Sequence, residues 1–246
     1  MTAFSAEPED PGPGDPEFEA EAKSADRFVA FSDAVIAIAI TLLALALPVP
    51  DRNTHFTNIQ LLHELRNDYG EYLDFFISFL VIGNHWSTHR RIFRYVCRLR
   101  GHVTRLNMLW LLLMIMTPFA TELLSGDGAR GVRFTIYALI QIIATAALMQ
   151  MSREVRLNGM LRPDAPESAH HPDTFSFLAI ILTFVVSIPV AFFTSGAYWI
   201  WAASPLVSRG LKRLAARRGS PAGNAGGQHH AADQDRRHHH RRGHRA

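Results

Sequence analysis

A single cysteine, Cys97, rules out an intramolecular disulfide and any metal site built from several thiolates of one subunit. The chain opens acidic and proline-rich, without the basic start, short apolar stretch and small-residue cleavage site of a secretory signal. Its first apolar run is therefore expected to be retained as a helix. Also missing are a Thr-Val-Gly-Tyr-Gly-like run of filter carbonyls and a ring-forming cluster of acids inside an apolar run, so ion selection by either device is excluded. No inverted repeat or pair of interrupted apolar runs is visible, which argues against a secondary transporter with a midplane substrate site.

What is present is strongly segregated. The mean hydropathy of +0.03 would suit a soluble protein, but it averages polar ends with long apolar runs. Residues 1–26 hold Glu7, Glu9, Asp10, Asp15, Glu17, Glu19 and Glu21 among prolines, and residues 209–246 are crowded with Arg, His, Gly and Ala. Neither composition can bury a core, so a disordered acidic tail over 1–26 and a basic His/Arg-rich tail over 209–246 are expected to flank a transmembrane domain over 27–208. Within that domain, apolar runs near the roughly 20 residues needed to cross about 30 Å of hydrocarbon predict spans at 28–48, 72–94, 105–125, 131–151 and 174–194. A last run, 197–208, is too short to cross alone and reads as a short helix inside the bundle. The fold class is an all-α membrane protein, a bundle of about six transmembrane helices.

Arginine and lysine near span ends resist translocation and set orientation. Arg90, Arg91, Arg94, Arg98, Arg100 and Arg105 follow the second span, Arg153, Arg156 and Arg162 follow the fourth, and Arg209, Lys212 and Arg213 open the tail. These positions predict that both termini are cytoplasmic, in a multi-pass protein of the inner (plasma) membrane. The basic loops and tail suit contact with anionic lipid. No nucleic-acid partner is expected. The tail histidines, among them His229, His230, His238, His239 and His240, suit metal by residue type, but the arginines around them oppose cation capture.

The first span reads Arg27-Phe28-Val29-Ala30-Phe31-Ser32-Asp33 and continues as Ala34-Val35-Ile36-Ala37-Ile38-Ala39-Ile40-Thr41-Leu42-Leu43-Ala44-Leu45. A charge near the bilayer centre costs about 2.5–3.5 kcal/mol on insertion scales, so Asp33 and Arg27 need partners or solvent within the assembly. A helix advances about 100° per residue, which places Ile38, Leu42 and Leu45 in one narrow stripe and turns Ser32 and Asp33 well away from it. Taken alone, such a stripe packs against neighbouring helices or lipid.

The Arg-x-x-x-Phe-Ser-Asp pattern leading an Ile/Ala/Thr/Leu helix resembles the signature of the transmembrane protein 175 family of potassium channels. Further likeness lies in Ser78-Phe79-Leu80-Val81-Ile82-Gly83 before Trp86-x-x-His89, and in Leu106-Asn107-Met108-Leu109 before Pro118-Phe119. Ala34, where the family often has glycine, and Asn84-His85 before Trp86 are departures. The resemblance implies a channel whose first helix lines a central pore in a homotetramer, closed by rings of Ile38, Leu42 and Leu45 with Thr41 as the flanking polar group. It implies potassium as the permeant ion and no cofactor. Only one Phe-Ser-Asp helix is present, and one helix cannot enclose a pore, so symmetric assembly follows. Arg27, Phe31, Ser32, Asp33, Trp86, His89 and Asn107 are expected to form a structural or gating network, with Ser32 and Asp33 meeting Arg27, His89 or Asn107.

Competing readings are a secondary ion transporter, a proton-permeable leak pathway in which Asp33 relays protons, a membrane enzyme using His85, His89 and Asp33, and a scaffold without transport. The His and Asp spacing matches no hydrolase or nucleophile motif.

Overall fold

Asp15 and Pro16 start the first helix well before the apolar run begins. The Asp15 carboxylate accepts from Glu17 N at 3.0 Å, Pro16 occupies the first turn, and Glu17 and Glu19 face the positive end of the helix dipole. In the computed structural model, which describes residues 14–50, 55–126, 128–170 and 174–193, this helix, α1, runs Pro16–Leu45. Residues 16–26, expected to be disordered, are therefore helical. Local capping and an alanine-rich stretch carry the helix outward, and an ion pair between Glu21 and Arg98 at 2.8 Å ties that extension to the connection between two later helices.

The remaining elements are α2 (Asn58–Asn67), α3 (Tyr69–Phe93), α4 (Gly101–Ser125), α5 (Arg130–Leu157), α6 (Glu167–His170) and α7 (Thr174–Phe193). Hydropathy did not announce α2 or α6. The first starts on a capping box, in which Thr57 and Gln60 satisfy each other's backbone N–H groups, and it buries nothing. Five of the expected spans have a helix in their place. The sixth, 197–208, and the basic tail lie outside the described residues.

Among the described residues four helices, α1, α4, α5 and α7, are long and apolar enough to cross a bilayer. The fifth, α3, has 25 residues, which matches the length, but it carries Asp74, Ser78, His85 and His89 on one face. That face is turned inward, since all four residues are buried. The core lies between α1, α3, α4 and α5, with α7 packed on α5. One cluster gathers Ile36, Leu43, Ile82, Trp110, Met114 and Met151, and another gathers Ile77, Ala120, Phe134, Tyr137 and Phe184.

Proline interrupts α4 at Pro118 and α7 at Pro189. Thr117 donates to Leu113 O at 2.9 Å and Thr121 to Thr117 O at 2.9 Å, so hydroxyls supplement the backbone bonding around the missing N–H of Pro118.

The arginine-rich ends of α3 and α5 are joined by a short antiparallel bridge. Cys97 N donates to Met160 O at 3.0 Å and Arg162 N to Tyr95 O at 2.8 Å. Gly159, at φ 62°, takes the left-handed turn that ends α5 and presents Met160 to this bridge.

Candidate functional site

The two faces of α1 have different surroundings. Ser32, Ile36, Ala39 and Leu43 are buried against α3 and α4. On the opposite face Phe31 is 51% exposed, Ile38 57%, Leu42 43% and Leu45 80%, and Thr41 is exposed beside them, its hydroxyl donating to Ile38 O at 2.8 Å. The subunit itself thus leaves the Ile38, Leu42 and Leu45 stripe uncovered. Arg27 is exposed as well, and helical spacing puts it on this same face, near Phe31 and Ile38.

A directed chain of hydrogen bonds anchors the buried face. His89 Nε2 donates to Asn107 Oδ1 at 3.0 Å, Asn107 Nδ2 donates to Ser32 Oγ at 3.0 Å, and the Ser32 hydroxyl donates to Phe28 O at 3.0 Å. Three helices, α3, α4 and α1, are joined in this way with no charge involved. The His89 ring is clamped between Trp110, stacked at 4.6 Å with an interplanar angle of 3°, and Phe93, tilted at 4.5 Å. Trp110 Nε1 in turn donates to His85 Nδ1 at 3.3 Å, which leaves that nitrogen unprotonated.

Asp33 stands apart from this chain. Its Oδ1 accepts from Trp86 Nε1 at 2.8 Å, on a partly exposed side of the subunit, and the Arg90 guanidinium lies 5.3 Å from the Trp86 ring centroid. The expected partners Arg27, His89 and Asn107 are not its hydrogen-bond partners. Asp33 lies about 100° around the helix from Ser32, so one side chain enters the core while the other reaches the α3 surface. Arg27 is correspondingly removed from the buried network and placed on the uncovered face.

Sequence reasoning passed over a second set of polar contacts nearer the other end of the bundle. The Ser78 hydroxyl lies 2.7 Å from Thr121 Oγ1 and 3.1 Å from the Tyr137 hydroxyl, joining α3, α4 and α5. Gln141 Nε2 donates to Thr117 Oγ1 at 3.2 Å, and Ser125 donates to Asp74 Oδ2 at 3.3 Å. The available signal was periodicity: Asp74, Ser78, His85 and His89 fall on one helical face within an otherwise apolar stretch. Among the described residues no group of three or more His, Cys, Asp or Glu is placed to hold a metal ion.

Comparison with known proteins bears on the same elements. The family model described as the endosomal/lysosomal potassium channel TMEM175 matches residues 27–118, which run from Arg27 through α3 to Pro118 in α4. A potassium channel of Streptomyces collinus is 32% identical over 147 residues, covering 57% of this chain and 70% of that protein. The chain belongs to the TMEM175 family. A second relative, a potassium channel of Chamaesiphon minutus, is 40% identical over 105 residues, 43% of this chain and 51% of the relative. The crystal structure of a lysosomal potassium-selective channel TMEM175 homolog from Chamaesiphon minutus superposes with a TM-score of 0.62, covering 80% of this chain and all (100%) of that one, at 24% identity, a likeness of fold. TMEM175 family members and these relatives are ion channels, not enzymes, so the catalytic reading of His85, His89 and Asp33 is set aside.

Proposed function

We propose that the chain forms a homotetrameric, potassium-permeable cation channel whose pore is lined by α1 and closed by rings of Ile38, Leu42 and Leu45. The observation that carries this reading is the uncovered apolar stripe of α1, lying opposite the face that the Ser32–Asn107–His89 chain fixes to α3 and α4. A pore helix needs both properties: one face held by its own subunit, and one left for the symmetry axis. Closed cyclic symmetry then presents each stripe residue as a ring. Family membership and the potassium-channel relatives support the permeant ion.

Apolar rings narrower than a hydrated ion block permeation by excluding water, and a modest widening or rotation of α1 rewets them. Potassium sheds its water more easily than sodium, which gives a preference without filter carbonyls. Thr41 offers a hydroxyl beside the stripe, and Arg27 and Phe31 occupy the same face at the entrance next to the arginine-rich connections. Those connections set that entrance on the cytoplasmic side, with both termini cytoplasmic in the plasma membrane.

Purified protein in liposomes under potassium, sodium and proton gradients tests the reading. Rapid passive potassium flux is expected, with sodium slower, and Ile38→Ala raising leak and reducing discrimination between the two. Saturable, coupled flux, or silence in well-folded protein, would contradict it.

A further inference from the structure

A cavity of about 430 Å³ opens between the last turns of α3 and α5, the connection that follows α5, and the start of α7. It is remote in role from the α1 stripe and belongs to no part of the network described above. Among the described residues, Arg91, Arg94 and Arg156 line it and no carboxylate does. Tyr95 and Ser152 add hydroxyls, while Leu161 and Phe177 contribute to an apolar wall. Arg91 and Arg94 are exposed. A guanidinium carries five donors in a fixed fork, so engagement of one edge with a neighbour still leaves donors for an anion.

We infer that this cavity is a binding site for the phosphate headgroup of an anionic phospholipid. Three features support an anionic lipid headgroup, the first and third of them against a free anion. The cavity lies at one end of α5 and α7, helices long and apolar enough to cross a bilayer, so that a headgroup would meet it there. Among the described residues its charge is of one sign, and planar guanidinium forks match phosphate oxygens two at a time. Its apolar wall would do nothing for a hydrated ion, but it suits the glycerol and first methylenes of a lipid chain. Basic pockets between membrane helices take such headgroups as a class.

The test is native mass spectrometry of the full-length protein, titrated with phosphatidylglycerol or phosphatidylcholine, with thermal stabilisation as a parallel readout. Wild-type protein is expected to retain phosphatidylglycerol preferentially. Arg91→Gln and Arg94→Gln are each expected to weaken retention roughly fivefold, as expected for a basic residue near a membrane surface. Arg105→Gln, an exposed arginine outside the cavity, is expected to leave retention unchanged. Arg91→Lys with Arg94→Lys keeps the charge but loses the fork, and is expected to weaken retention less than the glutamine pair. Equal loss in Arg105→Gln would reduce the effect to diffuse surface charge and overturn the assignment. So would full retention in the lysine pair, no preference between the two lipids, or equal stabilisation by inorganic phosphate alone.

Discussion

Asn107 is the residue on which the attachment of α1 turns, because its amide accepts from α3 and donates to α1. Interhelical hydrogen bonds in membranes average about 0.6 kcal/mol each, and stranding a buried donor costs about 1–3 kcal/mol. Asn107→Ala is therefore expected to lower stability by about 1–2 kcal/mol in detergent unfolding, where a Leu112→Ala control on the exposed side of α4 changes little. Asp33 calls for a different experiment. Asparagine in its place keeps an oxygen for Trp86 Nε1, so Asp33→Asn is expected to assemble normally and still carry current, measured together by size-exclusion chromatography and flux. Loss of current with intact assembly would make Asp33 a proton or ion relay instead. Ser32, His89 and Asn107 were legible in the sequence as polar residues in apolar runs that each need a partner, whereas Arg27, Phe31 and Asp33, expected in the same network, lie outside this hydrogen-bond chain. Which residue meets which was not legible. A rotation of one position along α1 separates the partner of Ser32 from that of Asp33, and hydropathy does not resolve that.

At the scale of elements, the apolar runs placed α3, α4, α5 and α7 to within a turn or two, because each must bury or bury in lipid an uninterrupted stretch of side chains. The start of α1 was misplaced, since capping by Asp15 and Pro16 acts below the threshold of any hydropathy window. α3 shows the complementary limit: its polar face reduces its mean hydropathy while being the face most completely buried. The bridge between the ends of α3 and α5 has a built-in reporter. Cys97 is buried, its thiol donates to Met160 O at 3.5 Å, and burial raises its pKa above the ordinary value. Thiol labelling of the native protein is expected to be slow, becoming complete only after denaturation; fast native labelling would show that this bridge opens readily. Ala129, at the start of α5, holds φ at 42°, a left-handed conformation that costs a residue with a Cβ about 1 kcal/mol. Ala129→Gly is expected to raise stability by up to about that amount, read from the unfolding midpoint.

At the scale of the whole molecule, one chain accounts for the buried face of α1 and leaves the Ile38, Leu42 and Leu45 face uncovered. Helical spacing made the Ile38, Leu42 and Leu45 stripe legible in the sequence, while what covers it is a property of the assembly that one chain's hydropathy does not encode. On the proposed reading, the arginine-rich ends, the uncovered stripe and the hydrogen-bonded anchoring chain suit a subunit repeated around an axis. The most direct measurement places one cysteine at position 38 in a Cys97→Ser background and follows potassium current in a reconstituted bilayer while a water-soluble, thiol-reactive cation is added. Four α1 helices lining the conduction path predict that Ile38→Cys current is stopped, while Leu182→Cys on the exposed face of α7 conducts unchanged. Persistent current in Ile38→Cys after complete modification would contradict a pore lined by α1.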